Sequence, residues 1–378
     1  MKKILIVTNF DVGLYNFRKE VLEALLAVPY EVHIALPDGE FVPRLREMGC
    51  IFHETRLNRR GTNPVEEFKL IGAFHRILKK VRPDVVLTYT IKPNLYAGSL
   101  CRLMKIPYIT NITGLGTAVE GDGLLQHMTT AVYRFAMKRV ACLFFQNASN
   151  ERYFTERGIG PGKHVMLPGS GVNLERYRYL EYPKEGKTEF LFISRVMKEK
   201  GIEQYLDTAE YIKARYPDTE FHILGFCEED YENRERLTAL NEKGIVRFHG
   251  MIEDIHPYLC RSQCTIHPSF YPEGMSNVCL ESQASGRPVI TTKRPGCADT
   301  IEDGVTGFLV EERDSRDLIE KVERFLAMPL CERAEMGRQA RKRMEEKFDR
   351  KIVVKKYLEE LAAVIGKEKS VRKGFQNK

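Results

Sequence analysis

Two carboxylates, Glu273 and Glu281, are separated by seven residues in the stretch Ser269-Phe270-Tyr271-Pro272-Glu273-Gly274-Met275-Ser276-Asn277-Val278-Cys279-Leu280-Glu281. Pro272 and Gly274 suit a tight turn. The run from Met275 to Ser285 lacks both residue types and can continue as helix. Backbone N–H groups from Gly274 to Asn277 would then face an incoming anion, because the first turn of a helix leaves its donors unpaired. One carboxylate sits at the mouth of this feature, the other about two turns further on. Such a set suits a ligand with phosphate in its middle and hydroxyl-rich groups at both ends, each end donating to a carboxylate. A nucleotide sugar has that outline.

The flanks widen the motif. Pro268-Ser269 and Pro272-Glu273-Gly274-Met275 stand at its start, and Ala284-Ser285-Gly286-Arg287-Pro288-Val289-Ile290 follows it. Pro295-Gly296 then leads to Glu302-Asp303-Gly304-Val305-Thr306-Gly307-Phe308-Leu309-Val310. Together these segments resemble the Glu-x7-Glu region of retaining glycosyltransferases of the GT-B fold, in particular the large family 4 that uses nucleotide-sugar donors. The stretch Arg195-Val196-Met197-Lys198-Glu199-Lys200-Gly201 is similar to that family's Arg-x4-Lys-Gly motif, whose two cations bind the donor diphosphate. It directly follows an apolar run, Phe190 to Ser194, where the carboxyl end of a strand would meet a ligand. A departing nucleoside diphosphate carries negative charge that cations and N–H donors must stabilise.

The resemblance implies roles for matching positions. Glu273, Arg195 and Lys200 would be the catalytic set, with Glu273 on the donor-sugar hydroxyls. Gly274, Met275, Ser276 and Asn277 would offer backbone donors near phosphate and sugar, and Glu281 would accept from the ribose. Gly225 and Phe226, with Met251 and Ile252, would line the base pocket, for which uracil is expected. The family mechanism is same-face attack through a short-lived oxocarbenium-like ion pair, the departing phosphate helping to take the acceptor proton. No cofactor and no metal are expected beyond the UDP-sugar substrate, and the chain has no Asp-x-Asp to bind a cation.

The amino-terminal part supplies acceptor-side candidates. Asp11-Val12-Gly13-Leu14-Tyr15-Asn16-Phe17-Arg18 follows a first apolar run, and Gly13 permits close backbone approach to a phosphate. In the resembling family this loop abuts donor phosphates and acceptor, which makes Gly13 a donor contact and Arg18 an acceptor contact. Lys92 in Tyr89-Thr90-Ile91-Lys92-Pro93-Asn94, and Thr113-Gly114-Leu115-Gly116, look like the branch that extends lipid-linked saccharides for capsule, lipopolysaccharide or glycan assembly. Many relatives carry a His where Thr113 stands. Thr cannot act as a base or cation near neutral pH, so that role does not transfer. Arg59 and Arg60 lie in a basic loop suited to acceptor or membrane.

Alternating apolar runs and amphipathic segments position these residues. Ile4 to Thr8, Val32 to Leu36, Val85 to Tyr89, Tyr108 to Ile112, Cys142 to Gln146 and Val165 to Leu167 read as buried parallel strands. Asn63 to Val81 reads as a helix opened by Asn63-Pro64, with Val65, Phe68, Ile71, Phe74 and Leu78 at helical spacing. Phe221 to Leu224, Val246 to Phe248, Thr265 to His267 and Val289 to Thr292 form a second series, followed by helices over 315–328, 330–347 and 349–365. This order predicts an α/β protein of two doubly wound, Rossmann-like domains, in the resembling family facing each other across a cleft. The expected divisions are an acceptor-side domain over 1–170, a linker over 171–188 and a nucleotide-sugar domain over 189–348. A carboxy-terminal helix over 349–366, returning to the first domain in the resembling family, and a disordered basic tail over 367–378 complete the chain. No internal sequence repeat is evident.

Composition narrows the class. Of 378 residues, 43% are hydrophobic and 29% charged, as in ordinary globular proteins. No apolar stretch approaches the roughly 20 residues of a membrane span, and the short run after Met1-Lys2-Lys3 reads as a core strand and not a signal peptide. Nine scattered cysteines without Cys-x-x-Cys fit free thiols in a reducing compartment. His256, Cys260, Cys264 and His267 have metal-like spacing but straddle a helix and a strand, against one tetrahedral centre. Residues 1–170 carry 23 Lys plus Arg against 15 Asp plus Glu. Nucleic acid, an acidic membrane surface or a pyrophosphate substrate would each satisfy that excess. Leu124, Leu125, Met128, Val132, Phe135 and Ala136 form an apolar stripe that a buried or an interfacial helix explains equally.

Together with this composition, the resemblance implies a cytoplasmic glycosyltransferase, peripheral at the inner face of the cell membrane. It would move a hexose or N-acetylhexosamine from a UDP-sugar to an undecaprenyl-diphosphate-linked saccharide. A nucleotide-sugar epimerase on the same fold is the alternative enzyme. A nucleic-acid-binding protein is disfavoured, since no nucleic-acid module accompanies the dispersed basic residues.

Overall fold

A computed structural model describes the chain except residues 58–62, 116–122, 185, 230 and 377–378, and gives the backbone alone for 124–125 and 367–376. The chain divides into two compact units, one of Met1–Ser170 with Arg350–Lys378, the other of Gly171–Asp349.

The first unit alternates β1 (Lys2–Val7), α1 (Asp11–Ala27), β2 (Tyr30–Leu36), α2 (Val42–Glu47), β3 (Ile51–Glu54), α3 (Pro64–Val81), β4 (Val85–Tyr89), α4 (Ile91–Met104), β5 (Tyr108–Ile112), α5 (Leu124–Met137), β6 (Cys142–Phe145), α6 (Ala148–Glu156) and β7 (Lys163–Met166). Its seven strands are parallel, in the order β3-β2-β1-β4-β5-β6-β7. Pleating explains why β1 reads as an unbroken apolar run: Ile4 and Ile6 pack on one face with Leu14, Val21, Leu22 and Leu25 of α1, while Leu5 and Val7 pack on the other with Leu70, Phe74 and Leu78 of α3. The chain reverses direction across the sheet between β1 and β4, a switch point of the kind that opens a ligand crevice in such sheets.

Asn63 caps α3 by accepting from the Val65 N–H, and Pro64 takes the first turn. The buried stripe of this helix is Leu70, Phe74, Leu78 and Val81, whereas Val65 and Phe68 are exposed, so the expected apolar face is rotated at its amino-terminal end. The edge strand β3 was absent from the sequence reading. Its four residues have both ends exposed and alternate weakly.

The second unit contains β8 (Thr188–Ile193), a 3-10 turn (Lys198–Lys200), α7 (Ile202–Arg215), β9 (Thr219–Leu224), α8 (Arg234–Glu242), β10 (Arg247–Phe248), α9 (His256–Arg261), β11 (Cys264–His267), α10 (Asn277–Ala284), β12 (Val289–Thr292), β13 (Gly307–Val310), α11 (Ser315–Ala327) and α12 (Leu330–Arg343). Strand order is β10-β9-β8-β11-β12-β13, the order of the first sheet less one strand. A repeat invisible in the sequence is therefore present in the topology. Each sheet even carries the same device: Glu31-x-His33 on β2 places His33 Nδ1 2.9 Å from His53 Nε2, and Glu220-x-His222 on β9 places His222 Nδ1 2.9 Å from His249 Nε2.

Residues 171–188, expected as a linker, pack onto the second unit. Arg287 is fully buried and donates to the carbonyls of Leu180, Glu181, Leu259 and Cys260, which pins the segment to α9. Tyr177 and Tyr182 are buried with it. After a π-type turn over Met344–Phe348, α13 (Arg350–Gln376) packs on α1, with Arg350 on Glu20 and the Tyr357 hydroxyl on Asn111 Oδ1. The tail expected to be disordered from 367 continues this helix to Gln376, its Lys, Glu, Arg and Gln residues being good helix formers.

Candidate functional site

The loops after β8, β9 and β11 converge at the carboxyl edge of the second sheet. Val196 N–H donates to the Phe226 carbonyl and Glu228 N–H to Val196, so the loop carrying Arg195 is laced to the loop after β9. Gly225 makes this approach possible: at φ 144° a Cβ there would lie 1.9 Å from the Ser194 carbonyl oxygen. Arg195 Nη1 consequently rests 2.5 Å from Glu228 Oε1. One turn on, Gly201 at φ 76° caps the 3-10 turn, and a Cβ there would meet the Pro268 carbonyl at 2.1 Å. Phe270 N–H donates to Glu199 O at 2.9 Å, tying the turn to the loop after β11.

That contact delivers Lys200 to Glu273. The ammonium sits on Glu273 Oε1, with the two side chains 11% and 14% exposed. Burial pushes the Glu273 carboxyl up, but Lys200, His267 and Arg195 outweigh it and hold the group below the ordinary range. The Tyr271 ring lies beneath both cations, its centroid 4.9 Å from Lys200 Nζ and 5.9 Å from the Arg195 guanidinium carbon. The result is a carboxylate kept ionised beside two cations, beside the start of α10. Ser276, the N-cap residue, makes no side-chain cap.

Gly274 and Met275 are buried, Asn277 opens α10 and Glu281 lies half-buried two turns into the region. The Ser276 N–H is not available to an anion, because it donates to the Gly296 carbonyl at 2.8 Å. Gly225 N–H donates to Gly250 O at 2.7 Å, which brings Phe226 and Met251 onto adjoining loops as exposed apolar side chains. Ile252 is half-buried against the cluster of Leu224 and Leu280. Sequence reading missed Glu228, Tyr271 and His267. Glu228 is three residues past Gly225 and Tyr271 two before Glu273, so proximity to the motifs was the available signal.

The two groupings with metal-ligand geometry among the described residues are His267, Glu273 and Cys297, and Glu189, Glu220 and His222. Side-chain cations already occupy their carboxylates: Lys200 in the first, Arg261, Arg247 and Lys187 in the second. His256, Cys260, Cys264 and His267 do not form such a group. His256 instead contacts Asp254 and the Arg176 carbonyl.

In the first unit, Gly13 lies inside the first turn of α1 and not in a loop. Arg18 is a correction. It is 4% exposed, with its guanidinium carbon 5.5 Å from the Tyr89 ring centroid and 5.9 Å from that of Tyr357, and Nη1 donating to the Phe17 carbonyl, so it is buried among these groups where an acceptor contact was expected. Lys92 is paired with Glu67 at 2.5 Å. Thr113 and Gly114 follow β5 and are half-buried, Gly114 at φ 140°. Thr90, before α4, also has positive φ, at 69°, strain of a kind that concentrates at functional sites. Arg59 and Arg60 lie outside the described residues. On α5, Tyr133 and Ala136 are buried, whereas Met128, Val132 and Phe135 are exposed, with Arg102 stacked 3.9 Å over Phe135. Among the described residues, no helix is long and apolar enough to cross a membrane.

Two family models cover most of this frame. Residues 180–343 match the glycosyl transferases group 1 model, and residues 3–147 the glycosyl transferase 4-like model. The chain is a glycosyltransferase. Over 337 residues, 85% of this glycosyltransferase and 88% of the relative, it is 24% identical to an N,N'-diacetylbacillosaminyl-diphospho-undecaprenol alpha-1,3-N-acetylgalactosaminyltransferase of Campylobacter jejuni. It is 26% identical over 217 residues to the capsular polysaccharide biosynthesis glycosyltransferase CapM of Staphylococcus aureus, covering 55% of this chain and 54% of that one. Among solved structures it resembles a Rickettsia africae glycosyltransferase, with TM-score 0.78, 20% identity and coverage of 96% and 98% of the two chains. Anabaena HepE in complex with UDP-glucose gives TM-score 0.77 at 16% identity, covering 96% and 100%. These likenesses establish the two-domain GT-B fold.

Proposed function

We propose that this glycosyltransferase moves a hexose or N-acetylhexosamine, with retention, from a UDP-sugar to a polyprenyl-diphosphate-linked saccharide in cell-surface glycan assembly. The observation that carries the reading is the Lys200–Glu273 pair beside Arg195 at the carboxyl edge of the second sheet. Arg195 and Lys200 take the donor diphosphate, whose β-phosphate gathers charge as the glycosidic bond breaks. Glu273 accepts hydroxyl hydrogen bonds from the sugar, and Glu281 from the ribose. The oxocarbenium-like sugar is attacked on the face the phosphate leaves, and that phosphate takes the acceptor proton. No divalent cation is required, since the two side-chain cations and the α10 amino terminus supply the positive potential.

The ligands of the relatives support the donor and acceptor classes: HepE is described with UDP-glucose, and the Campylobacter enzyme is named for an undecaprenol-linked acceptor. An acceptor of that kind keeps its tail in a bilayer. The exposed Met128, Val132 and Phe135 on α5, flanked by Arg102 and Arg134, suit contact with an anionic leaflet, and the protein works peripherally at the inner face of the cell membrane. UDP release, measured with and without lipid-linked acceptor, tests the reading. Acceptor-dependent release identifies the transferase, whereas conversion of the sugar without acceptor identifies an epimerase.

A further inference from the structure

His267 ends β11, 1% exposed, and among the described residues neither ring nitrogen has a hydrogen-bond partner. An orphaned buried polar atom forfeits its hydration without compensation, and native interiors rarely tolerate one without a use. Both nitrogens of one ring are orphaned here. Glu273 Oε1 lies 4.0 Å from Nε2, and that same oxygen carries the Lys200 ammonium. The backbone beneath the ring is fixed, because Thr291 Oγ1 donates to the His267 carbonyl at 2.7 Å. The groups facing the imidazole are Glu273 from the loop after β11, Lys200 from the 3-10 turn and Cys297 from the segment after β12. Burial and Lys200 outweigh the pull of Glu273, so the ring stays neutral, with its pKa pushed down to about 4. A neutral imidazole has one N–H to give.

We propose that His267 is a positioning residue for the donor sugar: when the donor diphosphate draws Lys200 off Glu273, the imidazole N–H takes over Oε1 and holds the carboxylate in its sugar-binding orientation. The inference rests on the donor reading above. Lys200 has a place to go, since its ammonium already lies over the Tyr271 ring that it shares with Arg195. Glu273 would otherwise lose the Lys200 ammonium at the moment it must accept hydroxyl hydrogen bonds. A shift of about 1 Å closes the 4.0 Å gap to hydrogen-bond length.

The test compares His267→Phe with His267→Asn, which keeps a donor at about the same reach. For His267→Phe we expect kcat/KM for the UDP-sugar to fall by about tenfold or more, while the Kd for UDP alone stays within about twofold. The acid limb of its pH profile moves to higher pH, since a Glu273 without its donor protonates more readily. His267→Asn restores most of the lost kcat/KM. Wild-type kinetics in a folded His267→Phe protein would overturn the proposal, as would parallel loss of UDP affinity, which marks simple core damage. Should His267→Phe fail to fold, isotope-labelled histidine in the wild type replaces it: saturating UDP must move the His267 ring N–H signal downfield, and an unmoved signal overturns the proposal. A wild-type protein that neither binds UDP nor releases it from any UDP-sugar refutes the donor reading itself.

Discussion

Replacing Lys200 by Met, Glu273 by Gln, and both together separates what the pair does for folding from what it does for catalysis. Both side chains are nearly buried, so Lys200→Met leaves a carboxylate with its partner cation gone and His267 4.0 Å away. Breaking a buried ion pair from one side costs about 3–5 kcal/mol, which for a domain of this size lowers Tm by on the order of 10 °C. In the double variant both charges disappear, and most of that loss should return. Catalysis behaves differently. On the proposed reading Lys200 supplies charge to the leaving phosphate, and removing one preorganised donor of that kind costs about 3–4 kcal/mol, or roughly two to three orders of magnitude in kcat. Glu273→Gln keeps shape but weakens acceptance from the sugar hydroxyls, with an expected loss of at least about tenfold. Thermal melts and steady-state UDP release read the two effects. The expected pattern is a double variant that is stable and inactive. Near-normal kcat/KM in both folded single variants would refute the site assignment, and a double variant no more stable than Lys200→Met would refute the energetic reasoning.

Three further outcomes follow from the same geometry. Activity should survive EDTA if Arg195 and Lys200 hold the leaving phosphate as proposed; complete loss restored only by Mn2+ or Mg2+ would contradict this. Sedimentation with anionic vesicles should show binding that weakens with salt and falls in Phe135→Ser and Met128→Ser, whereas equal absence of binding to anionic and neutral vesicles at low salt would count against the α5 surface. Stability should be full above about pH 7 and decline on acidification, since burial and a neighbouring imidazole hold His53 and His249 below their ordinary pKa, and His267 lies at about 4. Unfolded histidines bind protons from about pH 6.5 downward while these three resist, so the unfolded state gains. Denaturant midpoints at about pH 7.5 and 5 check the slope, which His53→Phe with His249→Phe should flatten.

Strands β4, β5 and β12 were legible to the residue, because each is a short apolar run buried on both faces and bounded by polar or turn residues. Strands β3 and β13 were not: β3 is exposed at both ends, and β13 opens on Gly307 with a partly exposed Leu309. That Arg195, Lys200 and Glu273 would come together could be read, because their types recur at fixed local spacing beside predicted strand ends. Long-range partners left no such mark. Arg18 looks like a surface cation until Tyr357 of α13 covers it, and Glu228 looks like a solvated acid until the bridge from Val196 sets it against Arg195. His267 sits at the end of a buried strand where a polar ring has no evident purpose in the sequence, and only the fold brings it within 4.0 Å of Glu273.

The most direct measurement is transfer of radiolabelled sugar from a panel of UDP-sugars into an organic-extractable, undecaprenyl-diphosphate-linked saccharide by the purified protein. Label should enter the lipid fraction from at least one UDP-hexose or UDP-N-acetylhexosamine, with UDP released in equal amount, with the new linkage keeping the donor's anomeric configuration, and with the signal lost in Glu273→Gln. Inverted product, or sugar that changes form without reaching the lipid, would contradict retaining transfer at this site.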